Sequence, residues 1–177
     1  MSDGTPIKIR IWHASRDAYH CAFRMIRLLS AVSSRSMEVE RLRILDMYLL
    51  FPSLLHRTSM TQVLRARFRD LHVPHPDEIF GRLPGAASAY QELRVYQNAA
   101  ASYLAGKDVL RKEFLQRGIA ELRNESLPSE IASGVRVRNE EQADLVRFLI
   151  SDFSQIPLSG SDSIYRRAGL PARHLLS

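Results

Sequence analysis

Cysteine occurs once among the 177 residues, at Cys21, so no internal disulfide can form and nothing points to an oxidising compartment; the cytoplasm is the expected location. Lysine is nearly missing: of 25 basic residues only Lys8, Lys107 and Lys112 are lysine. Long apolar runs are absent. The longest, residues 47–51, falls far short of the run of about 20 that a membrane-spanning helix requires. Residues 1–17, MSDGTPIKIRIWHASRD, hold no continuous apolar stretch of the kind a secretory signal needs. No contact with a membrane is expected.

The motifs that carry chemistry are missing too. There is no Gly-x-x-x-x-Gly-Lys-[Ser/Thr] loop and no Gly-x-Gly-x-x-Gly turn, the two common cradles for nucleotide phosphates. No His-Glu-x-x-His occurs, and a lone cysteine excludes the cysteine-based zinc patterns. His13, His20, His56, His72 and His75 are scattered, and His72 and His75, flanking Pro74, make at most a weak metal site. His20 and Cys21 have the residue types of a base and a thiol nucleophile, but neighbours on a helix point about 100° apart. Pro76-Asp77-Glu78 is a candidate start of a restriction-type nuclease core, yet the later Glu-x-Lys is lacking; Glu92-Leu93-Arg94, the nearest approach, sits in a helical pattern. Ser159-Gly160-Ser161-Asp162 reads as a turn without a nucleophile elbow. No enzymatic activity, cofactor or metal is expected.

What is present is an ordinary globular composition, 45% hydrophobic and 25% charged, long enough to build its own core. The charge is uneven. Residues 1–70 carry 12 Lys and Arg against 6 Asp and Glu, whereas residues 71–177 carry 13 of each, so the whole net charge of +6 is N-terminal. Arginine suits bidentate contact with phosphate or carboxylate better than lysine does.

The periodicity predicts a mainly α protein, a helical domain with a winged-helix-like β-wing in its C-terminal half. It divides into a basic helical part over 1–71, a Pro/Gly-containing connecting loop over 72–88, a helical and winged-helix-like part over 89–153, and a tail over 154–177. Residues 7–12, Ile-Lys-Ile-Arg-Ile-Trp, alternate at a strand period. Residues 17–32 then turn helical, with Tyr19, Ala22, Met25, Ile26 and Leu29 on an apolar face and Arg16, His20, Arg24 and Arg27 on a basic one, Arg35 lying just beyond. That basic stripe reads as a solvated face, a contact for the phosphates of double-stranded DNA, or a dock for an acidic protein.

Glu38 and Glu40 open a second helix with a Leu42, Leu45, Leu49 core stripe, ended by Pro52. Off that stripe lie Arg41, Asp46 and Tyr48; Arg41 and Tyr48 are candidate subunit contacts, because interfaces favour Arg and Tyr at their energetic centres. Ser59-Met60-Thr61-Gln62 resembles a capping box opening a third helix, with Met60, Val63, Leu64, Phe68 and Leu71 inward and Arg65 and Arg69 outward, two further interface candidates. Helices are expected over 89–105 and 109–117, a strand at 119–122, a wing at 134–138 and a helix capped by Asn139 running to Phe153.

Two of these segments together, DAYHCAFRMIRLL at 17–29 and ERLRILDMYLLFP at 40–52, resemble the middle component of bacterial ABC-three component systems, the Lamassu-like antiviral loci. The resemblance implies a non-catalytic adaptor. Its partners would be an SMC-like ABC ATPase subunit with coiled-coil arms, which senses foreign DNA, and an effector subunit bearing a nuclease or other toxic domain. The alternative from the residues alone is a freestanding winged-helix DNA-binding regulator.

Overall fold

The structure, a computed structural model, describes residues 16–79, 83–123 and 127–171; the alternating stretch at 7–12, His13 and the end of the tail lie outside the described residues. Asp17 starts the first helix. Its Oδ1 accepts from the backbone N–H groups of Tyr19 (2.7 Å) and His20 (3.1 Å), donors with no partner inside the first turn. The helix, α1, runs Ala18–Ala31. Next come β1 (Ser36–Glu38), α2 (Val39–Leu50) and a 3₁₀ turn over Pro52–Arg57, where Pro52 takes the first position and stops α2 as expected.

α3 (Gln62–Arg69) is capped by Thr61, whose hydroxyl accepts from Leu64 N–H at 3.3 Å; Ser59, expected in that role, lies two residues outside. Val63, expected inward, is 67% exposed, while Phe68 is buried. After the connecting loop come α4 (Ala86–Gly106), α5 (Lys112–Leu115, shorter than its apolar pattern suggested), β2 (Ile119–Glu121), α6 (Ser129–Glu141), α7 (Ala143–Arg147), a π-helical turn over Phe148–Asp152, a 3₁₀ turn over Phe153–Gln155, and α8 (Ile164–Ala168).

The protein is mainly helical, with a small two-stranded antiparallel sheet. Its register is Ser36 opposite Glu121, Met37 opposite Ala120 and Glu38 opposite Ile119, so that Met37 and Ala120 share the buried face. The strand expected at 119–122 is therefore present, paired with a strand from the basic half. The wing expected at 134–138 is instead helix, inside α6. Alternation over five residues is too short to distinguish the two periods, and at Gly134 α6 lies against the Phe23 ring of α1, where an added Cβ would make ordinary contact at 3.8 Å. Asn139 likewise lies within α6 rather than capping the next helix.

The core gathers on α1 and α2. Residues 44–49 of α2 are buried without interruption, and from 21 to 29 in α1 every residue but Phe23 is buried. A surface helix hides one stripe; α1 is central, packed by α2, α4 and α6 at once. Its first turn is the exception, and Tyr19, expected in the core, is 69% exposed with its ring edge-on to Tyr103 at 5.2 Å.

α8 closes with Gly169 in the left-handed region (φ 62°, ψ 30°), and a Cβ there would meet nothing within 4 Å. The penalty of Gly169→Ala is thus conformational alone. Urea denaturation should report a loss of about 1–2 kcal/mol, with the helical content of the folded state unchanged.

Candidate functional site

The residues singled out as a basic stripe separate into two environments. Arg16 and His20 are on the surface, Arg16 standing 3.9 Å from Glu92. Arg24 and Arg27 are buried, at 7% and 6% exposure, which corrects the expectation of an outward face. The physical reason is the central position of α1, which leaves no exposed side over residues 21–29. Arg35 is half-buried in a left-handed turn (φ 52°), where its carbonyl accepts from Leu122 N–H at 2.9 Å and joins the first helical pair to the sheet.

Arg24 meets Asp46 of α2, which is wholly buried. Arg24 Nε donates to Asp46 Oδ1 at 2.6 Å and Nη2 to Oδ2 at 3.3 Å, a bidentate charge-assisted pair. Gln97 of α4, also fully buried, donates Nε2 to the same Oδ2 at 2.8 Å and to the Arg43 carbonyl at 3.0 Å, and Cys21 Sγ lies 3.6 Å from Oδ2. One carboxylate thereby ties three helices together. Burial works to lower the Arg24 pKa, but the Asp46 charge and hydrogen bonds outweigh it and raise the value, so the guanidinium stays charged. Burial, reinforced by the Asp46 charge, pushes the Cys21 thiol far above the ordinary range and leaves it a packing group.

Arg27 takes neutral partners. Its Nε donates to Asn139 Oδ1 at 2.9 Å and its Nη2 to Gln142 Oε1 at 2.7 Å and the Arg138 carbonyl at 3.2 Å, while Asn139 Nδ2 returns a bond to the Arg27 carbonyl at 3.0 Å. This clamp fixes the end of α6 against α1. Burial first, then the neighbouring Arg138 and Arg24 charges, lower the Arg27 pKa.

The α2 candidates are also internal. Tyr48 is fully buried, its hydroxyl 2.7 Å from Thr58 Oγ1 and its ring edge-on to Phe153 at 5.0 Å, so it cannot contact a partner as proposed from sequence. Desolvation pushes its pKa up to about 12. Arg41 is mostly buried and donates to Glu38 Oε2 (3.0 Å) and to the Ile156 (2.9 Å) and Ser154 carbonyls, strapping the start of α2 to the segment after the π turn. Arg65 is half-buried on the Thr58 carbonyl, and only Arg69 of the four interface candidates is exposed. Glu40 accepts from Tyr90 (2.9 Å) and Tyr165 (3.0 Å) hydroxyls and from Arg43 Nη1 (2.8 Å), joining α4 and α8 to α2.

The nuclease-like Asp77 and Glu78 belong to a capped 3₁₀ turn, with Glu78 Oε2 accepting from His75 N–H at 2.8 Å. Among the described residues no group of three or more His, Cys, Asp and Glu side chains is placed to hold a metal, and no helix is long and apolar enough to cross a membrane.

Among the described residues, a concave surface of about 500 Å³ is lined by Ser30, Arg35, Val135, Arg136 and Asn139, among others. A groove of about 370 Å³ between α1, α4 and α6 is lined by Tyr19, Phe23, Tyr103, Lys107 and Ile131, among others. A cleft of about 390 Å³ lies between α3, the π turn and α8, with Val63, Leu64, Ile156 and Pro157 beside Arg67, Asp152 and Arg167. Sequence reasoning missed Arg67 and the structural role of Asp46. The signal for the latter was there, since an aspartate inside Ile-Leu-Asp-Met-Tyr-Leu-Leu demands a buried cation.

Arg24→Met leaves the Asp46 charge buried without its cation, and urea denaturation should register a loss of about 3–5 kcal/mol. The double substitution Arg24→Met with Asp46→Leu should recover most of it. For Tyr48 the sign is that of an acid whose folded pKa lies above its ordinary value near 10. The stability it supplies is complete below pH 10 and disappears as pH rises toward about 12. The stability difference between the wild type and Tyr48→Phe should shrink and then reverse over that interval.

No curated protein and no solved structure matches the chain. A family model does, over residues 10–174, which takes in the central helix with its buried pair and every element from α1 to α8. The chain belongs to the ABC-three component (ABC-3C) system Middle Component 5 family.

Proposed function

We propose that this chain is a non-catalytic coupler: it joins an SMC-like ABC ATPase, which senses foreign or aberrant DNA, to an effector carrying a nuclease or other toxic domain. Family membership supports the broader part of this reading, a role in a multi-component defence system whose middle component works with partners. One observation carries the rest. The side chains with the most chemical potential are bonded to one another between helices: Arg24, Asp46 and Gln97 in one cluster, Glu40, Tyr90 and Tyr165 in another. Such groups brace a scaffold. What the described residues present outward includes concave surfaces suited to other proteins.

Contact with duplex DNA through α1 is confined by the burial of Arg24 and Arg27. Each phosphate contact steepens the log–log salt dependence of affinity by about 0.9. Neutralising Arg16 should therefore flatten the slope of the assembled complex by no more than about 0.9, measured by fluorescence anisotropy on a linear duplex.

The purified chain alone should hydrolyse neither ATP nor DNA, and should co-elute with the ATPase and effector components when the three are co-expressed. Metal-dependent cleavage of linear DNA by this chain, abolished by Asp77→Asn or Glu78→Gln, would overturn the non-catalytic reading. Failure to co-elute with either component would overturn the coupler.

A further inference from the structure

The cleft between α3, the π turn and α8 combines features that ordinary packing does not require. Val63 stands at its edge 67% exposed, on a helix whose other apolar residues turn at least partly inward. Its apolar lining of Val63, Leu64, Ile156 and Pro157 is flanked by two arginines, each paired with an aspartate. Arg67, 59% exposed, pairs through Nη1 with Asp152, and Arg167, 21% exposed, donates to Asp162 from Nη2 to Oδ1 at 3.3 Å and from Nε to the carbonyl at 3.1 Å. A guanidinium has five N–H donors, so each pairing leaves donors for a second carboxylate. The wall opposite α3 includes Ser151 and Asp152 of the π-helical turn, a geometry that recurs at functional sites. On the α3 side the basic residues outnumber the acids: residues 57–69 contain Arg57, Arg65, Arg67 and Arg69 and no acid, while Asp152 lies on the opposite wall.

We propose that this cleft is the docking surface for an acidic, amphipathic segment of another protein component of the system, an inference that rests on the coupler reading. One apolar side chain of the segment fills the hollow beside Val63 and Leu64. Its carboxylates engage Arg67 and Arg167 at the rim. An apolar centre with an arginine rim is the usual anatomy of a protein interface. Duplex DNA fits less well, because its backbone offers phosphates and sugars to the rim but nothing to cover the apolar hollow.

The test uses the full chain and its Val63→Asp and Arg67→Glu variants, titrated separately with the ATPase component and the effector component of the same system. Val95→Asp, at an equally exposed valine of α4 that does not line the cleft, is the control. All three positions are exposed, and thermal unfolding should be close to wild type. The expected result is a loss of affinity of about tenfold or more for one of the two components with each cleft variant and none with the control. Wild-type affinity of both components for both cleft variants overturns the cleft proposal while leaving the coupler intact. Binding of neither component by the wild-type chain overturns the coupler, and the cleft proposal with it. If the cleft variants lose affinity only for a 30-bp duplex, the surface reads nucleic acid and the proposal is wrong.

Discussion

The ion pair between Arg24 and Asp46 is the constraint around which the rest is arranged. Asp46 is fully buried, its partner nearly so, and removing two charges from water is costly unless every remaining hydrogen-bond site is met. The protein answers that cost with a bidentate pair plus the Gln97 Nε2 donor, leaving Gln97 Oε1 buried without a partner among the described residues, and so binds α1, α2 and α4 into one orientation. A buried pair adds less net stability than an apolar substitute of the same volume, yet breaking it removes about 3–5 kcal/mol, a large part of the about 5–15 kcal/mol of a typical domain. The pair therefore penalises any packing in which those helices are displaced. Arg27 and Glu40 repeat the arrangement with other partners, on α6 and on α4 with α8.

Where local chemistry decides, the sequence was legible. Asp17 as a cap, Pro52 as a stop, the Leu42, Leu45, Leu49 stripe and the strand at Ile119 follow from side-chain oxygens, a missing N–H or periodicity, and the structure holds each of them. Where a distant residue decides, it was not. Arginines spaced 4, 4 and 3 on one face look solvent-facing only if the opposite face is the whole buried surface; at Arg24 a partner 22 residues away overrides that, and at Arg27 one 112 residues away. Tyr48 was misread as an interface residue for the same reason, since Thr58 and Phe153 come to it from other elements. The supposed wing at 134–138 failed because α6 must lie along α1 for Asn139 to reach Arg27.

The consequence for function is a change in where the charge acts. Much of the N-terminal positive excess is consumed internally, by Arg24, Arg27, Arg41 and Arg43. Among the described residues of the basic half, the exposed guanidinium groups are those of Arg16, Arg57, Arg67 and Arg69. The proposed coupler would need a fixed shape and surfaces for its partners. Internal polar clusters and a peripheral cleft flanked by Arg67 and Arg167 are compatible with such a part.

The placement of the arginines is open to direct measurement by phenylglyoxal modification of the native protein, read by peptide mass spectrometry. The account predicts that Arg57 and Arg69 react readily while Arg24 and Arg27 stay protected until the protein unfolds. Modification of Arg24 at the rate of Arg69 in the folded chain would contradict it, and would return the first helix to the surface.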